Sequence, residues 1–187
     1  MTQGCELDGF GIEGLALLPS RVMEDERGCF MEAYRRSVFR EFGIEEEFVQ
    51  DNLSISKKGV LRGLHFQIAP HEQGKLVRVL SGEVFDVAVD LRLDSPSFGR
   101  WAAVTLSAKE GLAFYIPRGF AHGFMVLSEE ATFLYKCTSE YAPERESGLR
   151  WDDPDVAIEW PLRPRLVSAK DTSLPRLSEL GLGTMNR

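Results

Sequence analysis

Apolar residues recur along this chain in short clusters separated by polar or glycine-containing turns, not in long periodic runs. The clearest pattern is residues 83–91 (EVFDVAVDL), which alternate from Val84 onward. Phe85, Val87, Val89 and Leu91 share one face, and Asp86, Ala88 and Asp90 lie off it, as expected of a strand. The preceding 75–80 (KLVRVL) is also β-rich, and Ser81-Gly82 supplies the turn between them. Further strands are predicted at 101–106 (WAAVTL), 112–116 (LAFYI), 124–127 (FMVL) and 132–137 (TFLYKC). Residues 35–47 read instead as a short helix, with Phe39 and Phe42 three apart and Gly43 as a stop. From about 150 to 187 the chain is rich in Trp, Pro and Asp and is expected to be irregular, with one short helix after Asp171. Strands this short, numerous and regularly punctuated predict a β-sandwich or barrel.

Composition narrows the reading. At 187 residues, with 43% hydrophobic and 27% charged residues, the chain suits one globular domain spanning 1–187. Within it, about 1–14 is expected as an N-terminal extension and about 178–187 as a C-terminal tail. No run of about 18 apolar residues predicts a membrane helix. The first residues lack the basic start and apolar stretch of a secretory signal. Cys5, Cys29 and Cys137 are scattered and form no Cys-x-x-Cys pair, so the expectation is reduced thiols in a cytoplasmic protein. A net charge of −7 argues against nucleic acid as a partner. It permits an anionic small ligand held by a local arginine cluster.

Three histidines carry the candidate chemistry. His71 sits in a polar loop and is expected to be exposed and inert. His65 lies in Leu61-Arg62-Gly63-Leu64-His65-Phe66-Gln67, where several polar side chains crowd an otherwise apolar segment, a costly arrangement unless something binds there. Arg62 and Gln67 differ in strand parity, so this segment either bends or serves more than one role. His122 closes the stretch Pro117-x-Gly119-x-x-His122.

That last stretch resembles the second motif of the cupins, double-sheet jelly-roll barrels with a site in the barrel mouth. The matching first motif here reads His65-Phe66-Gln67, without the second histidine of metal-binding cupins. Two histidines make a poor site for a first-row metal, so no metal is expected. No Gly-rich dinucleotide or P-loop fingerprint is present, and no cofactor is expected.

Eight segments in order then resemble one family. They are DERGCFMEAY (25–34), FVQDNLSISKKGVLRGLHFQ (48–67), QGKLVRVLSGEVFDVAVDLR (73–92), SPSFGRW (95–101), IPRGFAHGF (116–124), LYKCTSEYAPE (134–144), WDDPDVAIEWP (151–161) and SAKD (168–171). The family is the dTDP-4-dehydrorhamnose 3,5-epimerases of the cupin superfamily. The resemblance implies an all-β jelly-roll barrel with a few short peripheral helices. It puts the general base at His65, its carboxylate partner at Asp171, a lysine beside the reacting carbonyl at Lys75 and the tyrosine acid at Tyr135. Substrate-holding residues fall on Arg27, Glu32, Gln50, Asp51, Asn52, Arg62, His122, Tyr141, Glu146 and Lys170. It further implies a homodimer in which an N-terminal strand crosses to the partner, so that Arg27 and Glu32 serve the neighbouring site.

The implied reaction is epimerisation at C3 and C5 of dTDP-4-dehydro-6-deoxy-D-glucose. The ketone at C4 acidifies both flanking carbons, and inversion takes a proton from one face and returns one to the other, which calls for a base and a separate acid. Tyr141 is a rival to Tyr135 as that acid, since an unbroken strand would turn both to one side. The same residues would serve an epimerase acting at one carbon only. A 3,4-ketoisomerase resembles the sequence less. A binding barrel without turnover, or a metal-dependent oxygenase, are the contrasting classes.

Overall fold

A computed structural model describes residues 10–181. Cys5, most of the expected N-terminal extension and all but the start of the expected tail lie outside the described residues. Two antiparallel sheets face each other. The first runs in the order β1 (Ala16–Pro19), β9 (Leu112–Ile116), β6 (Lys75–Ser81), β11 (Glu130–Cys137) and β4 (Gln50–Lys57). The second runs β12 (Glu146–Gly148), β5 (Val60–Gln67), β10 (Phe120–Val126), β7 (Glu83–Asp90) and β8 (Trp101–Ser107), with β13 (Leu166–Val167) parallel to β5. Chain order passes back and forth between the sheets, giving the double-sheet jelly roll that the sequence predicts. A separate hairpin of β2 (Val22–Asp25) and β3 (Gly28–Met31) completes the strands, and the helices are α1 (Arg36–Glu41) and α2 (Ala169–Thr172).

Three apolar clusters explain the strand patterns. Between the sheets, Val77, Val79, Phe114, Ile116 and Phe133 from the first meet Val84, Ala88, Leu106, Phe120 and Phe124 from the second. The outer face of the second sheet, with Val87, Val89, Leu91, Leu64 and Phe66, is covered by Leu149, Val156 and Leu180 from the C-terminal segment. The outer face of the first sheet is covered near α1 by Phe39 and Ile44 against Leu76, Ala113 and Tyr115. Strand β7 is therefore buried on both faces, so its two parities alternate between two cores. The fully buried Asp86 and Asp90 stand on its inner parity.

Some boundaries differ from expectation. The helix predicted over 35–47 is helical only over Arg36–Glu41. Gly43 turns left-handed (φ 80°), and Ile44 then tucks into the core at 4% exposure. Strand β10 starts at Phe120, four residues before the predicted FMVL, and so includes His122. Helix α2 contains Asp171 instead of following it, with the Ser168 hydroxyl capping the Asp171 N–H. The tail is irregular, as expected, but it does the work of a lid on the second sheet's outer face.

Candidate active site

The open side of the barrel, between the edge strand β4 and strand β5, holds a cavity of about 1010 Å³. Strand β5 sets its chemistry. Its pairing with β10 runs His122↔His65 and then Phe124↔Arg62, so β5 carries one extra residue at Gly63-Leu64. This β-bulge reverses parity, and Arg62 and His65, three apart, both line the cavity. It resolves the parity conflict in the sequence. Glycine is needed twice here. A Cβ on Gly63 (φ 128°) would sit 2.6 Å from the Gly123 Cα, and one on Gly123 would sit 2.6 Å from the Arg62 carbonyl oxygen.

His65 is half-buried, and its Nε2 lies 2.7 Å from Asp171 Oδ1. The second oxygen, Oδ2, accepts the Gly63 N–H at 3.2 Å. Asp171 is 3% exposed. Burial alone would raise its carboxyl pKa, but the His65 hydrogen bond and charge, with the Gly63 and Ser168 contacts, outweigh burial and hold it below the usual carboxylate range. An ionised Asp171 thus fixes the orientation of the imidazole.

Lys75 opens β6 and is buried; its Nζ donates to the His65 carbonyl oxygen at 3.2 Å. Burial lowers its pKa, partly offset by Cys137, Asp86 and Glu146. Tyr135 sits on β11, in the opposite sheet from His65, against Phe133 with ring centroids 6.0 Å apart. Burial raises its phenol above the ordinary value. Base-like and acid-like groups therefore face one cavity from opposite walls.

Tyr141 also lines the cavity, but β11 ends at Cys137, so it does not continue that strand. Its ring is 52% exposed and its hydroxyl donates to Glu146, which also pairs with Lys170 Nζ at 2.6 Å. Gln50 accepts the Tyr141 N–H at 2.7 Å and donates to Asn52 at 2.9 Å. Arg62 Nε donates to the Ser56 hydroxyl at 3.0 Å. These groups form a polar shelf at the cavity mouth.

His122 is 6% exposed, and its Nε2 lies 3.0 Å from both oxygens of Asp86. Burial lowers the imidazole pKa and raises that of the carboxyl. A neutral imidazole donating from Nε2 leaves Nδ1 as its remaining polar atom. Asp86 was not singled out from the sequence, where it reads only as lying off the apolar face of its strand. Ser54 and Ser56, also unflagged, follow Gln50 and Asn52 at period two along β4 and line the same wall, a signal that strand periodicity carries.

Three expected residues are not brought to this cavity. Asp51 has the outward parity of β4 and pairs with Lys136 at 2.6 Å. Arg27 and Glu32 belong to the β2–β3 arm, where Arg27 pairs with Asp25 and Glu32 with Arg35. His71 lies in the loop after β5 and lends its carbonyl oxygen to Gln67 at 2.6 Å. Among the described residues no group of three or more His, Cys, Asp or Glu is placed to hold a metal ion.

Comparisons with known proteins bear on this geometry. A protein of Methanothermobacter thermautotrophicus named dTDP-4-dehydrorhamnose 3,5-epimerase is 51% identical over 171 residues, 90% of this chain and 92% of that protein. One of the same name from Pseudomonas aeruginosa is 54% identical over 162 residues, 86% and 89% of the two chains. The crystal structure of a dTDP-6-deoxy-D-glucose-3,5-epimerase from Legionella pneumophila, in complex with dTDP-4-keto-L-rhamnose, superposes with a TM-score of 0.90 at 49% identity, covering 94% of each chain. The family model for dTDP-4-dehydrorhamnose 3,5-epimerase matches residues 10–179, which take in both walls of the cavity and the lid that carries Asp171, and the chain belongs to that family.

Proposed function

We propose that this enzyme inverts C3 and C5 of dTDP-4-dehydro-6-deoxy-D-glucose, giving dTDP-4-dehydro-L-rhamnose for dTDP-L-rhamnose synthesis. The observation that carries the reading is the His65–Asp171 pair at 2.7 Å facing Tyr135 across one cavity. His65 takes the proton from the carbon beside the ketone, and Asp171 holds the imidazolium that forms. Negative charge then develops at the C4 oxygen. Lys75 donates to it there, and a preorganised donor of this kind contributes about 3 kcal/mol to the barrier. Its lowered pKa brings the ammonium closer to the acidity of an enol, which strengthens that donation. Tyr135 returns a proton from the opposite face. Its hydroxyl carries no hydrogen bond to another described residue, which leaves it available to the sugar. The chemistry is redox-neutral and needs no cofactor.

Nucleotide recognition is assigned to the mouth. Tyr141 stacks on the base, Glu146 and Lys170 flank it, Gln50 and Asn52 bind along β4, and the Arg62 guanidinium matches diphosphate oxygens. His122, oriented by Asp86, faces the sugar. Arg27 and Glu32 are read as serving the partner subunit of a homodimer. In support, residues 21–30 are all exposed and carry Val22, Met23 and Phe30 on a hairpin whose only strand partner among the described residues is itself. Asp51, outside the cavity of its own subunit, is assigned no direct contact there. The thiols of Cys29 and Cys137 are free, in keeping with a cytoplasmic enzyme.

The test is NMR of the purified enzyme with the dTDP-4-keto sugar in deuterated water. Deuterium at both C3 and C5, with inversion at both, is the expected result. Incorporation at one carbon alone would replace the reading with a single-site epimerase, and none at either would reject it.

A further inference from the structure

Arg78 stands in the middle of β6 on the outward parity, between Leu76 and Leu80, and is only 4% exposed. An apolar residue would cover that face of the sheet at less cost, since a buried cation loses its hydration. No carboxylate pairs with it among the described residues. Its guanidinium is instead spent on neutral acceptors. Nη1 donates to the Gly111 carbonyl oxygen at 2.8 Å and reaches Met31 Sδ at 3.4 Å. Nη2 donates to the Ser20 hydroxyl at 2.8 Å and to the Ala33 carbonyl oxygen at 3.0 Å.

Those acceptors share a location. Ser20 is the residue at which the β2–β3 arm leaves the barrel, and Ala33 is where it returns; Met31 ends its second strand. The Gly111 carbonyl oxygen, which Arg78 also binds, accepts the Ser20 N–H at 3.2 Å as well. One planar cation therefore ties both stems of the arm to the β8–β9 turn. Beyond the packing of Val22 and Met31 at Gly111, residues 23–30 are exposed, and a two-stranded hairpin alone is marginal in water. A fork of donors in one plane is what distinguishes arginine from lysine at such a junction. Burial without a counter-charge brings its pKa down to about 10, so it stays charged near neutrality.

We infer that Arg78 is a positioning residue for the arm: it sets the angle at which the arm leaves the barrel, and so places Arg27 and Glu32 in the active site of the neighbouring subunit. The inference rests on the shared-site reading above. It makes substrate affinity in one subunit depend on a buried residue of the other.

The experiment compares the full-length wild type with Arg78→Met. The expected result is a KM for the dTDP-4-keto sugar raised about tenfold or more with kcat changed less than about threefold, because binding is lost and the catalytic walls are intact. Trypsin cleavage after Arg21 and Arg27 is expected to accelerate. Hybrid dimers of Arg78→Met with His65→Ala, isolated through two affinity tags, are expected to regain wild-type KM at half the wild-type kcat. In them an intact arm reaches the only intact pocket. A variant with wild-type KM and cleavage rate overturns the inference, and so does a KM defect that the hybrid does not repair, since the fault then lies within the variant's own pocket. If Arg78→Met does not fold, Arg78→Lys carries the same readouts, and wild-type values in it are equally fatal. Hybrids of Arg27→Ala with His65→Ala separate the two levels. If they fail to complement, the shared-site reading falls; if they complement while Arg78→Met behaves as wild type, only the role of Arg78 falls.

Discussion

At the residue scale, the proposed roles of His65 and Tyr135 separate cleanly in deuterated water. His65→Ala is expected to abolish exchange at C3 and C5. Tyr135→Phe is expected to leave exchange running while inversion stops, since His65 still removes and returns a proton on its own face. Loss of exchange in Tyr135→Phe would show that the phenol does more than donate. Asp171→Asn keeps the size of the side chain but removes the charge that favours the imidazolium, and a fall in kcat of about 10²- to 10⁴-fold is expected. Lys75 gives a pH test. Its ammonium is the active form and its pKa is lowered by burial, so activity is lost as pH rises through a value below the ordinary lysine 10.5. Lys75→Arg moves that basic limb upward in the pH profile of kcat/KM. An unmoved limb would assign it to another group. Residue pattern alone marked the polar crowding around His65 as costly unless something binds there, but it gave Lys75 and Asp171 no role. The ordered family segments raised them, and the structure brings them to one cavity.

Among the elements, β5 matters most, and its behaviour was only half legible. The sequence shows that Arg62 and Gln67 differ in strand parity, and two residues of opposite parity cannot both face one site in a regular strand. The bulge at Gly63-Leu64 removes the contradiction, and the packing of Gly63 against Gly123 makes room for it. Gly123→Ala forces a methyl to within 2.6 Å of a backbone oxygen. It is expected to cost about 1–3 kcal/mol of stability and to lower kcat by displacing His65, measured by denaturant unfolding and by steady-state rates on the folded protein. An unchanged variant would mean that the bulge tolerates more than this geometry allows. Helix α1 was more legible: it stops at Gly43 as read, and only the residues beyond, where Ile44 is buried past the left-handed glycine, fall short of the 35–47 span.

For the whole molecule, acid stability reports a site far from the chemistry. Asp90, fully buried at the end of β7, accepts from Arg92 at 2.9 and 2.7 Å, Ser95 at 2.6 Å and Ser97 at 2.7 Å. Burial would raise its pKa, but these contacts win and hold it at about 2 against an ordinary 3.8. A carboxyl depressed in the folded state stabilises above its unfolded pKa and loses that contribution as pH falls through the folded one. The contribution of about 2 kcal/mol is thus complete at neutral pH and disappears between about pH 4 and pH 2. Asp90→Asn is expected to lower the melting temperature at pH 7 and to converge with wild type near pH 2; a constant difference across that range would exclude the linkage. This loop reads from the sequence only as part of a family segment.

What the sequence determined by itself is what local pattern can carry. Short alternating runs between turns gave a β-barrel or sandwich, the missing second histidine of the His65 motif argued against a metal, and the order of eight segments gave the family. The tertiary structure decided whatever depends on register and distance along the chain. Asp171 meets His65 from 106 residues away, Asp86 faces His122 from 36 away, and the bulge turns Arg62 inward. It also left Arg27 and Glu32 outside the cavity, on or beside an exposed hairpin. Periodicity specifies which residues share a face, but only packing specifies which face meets which, and an active site is made of those meetings.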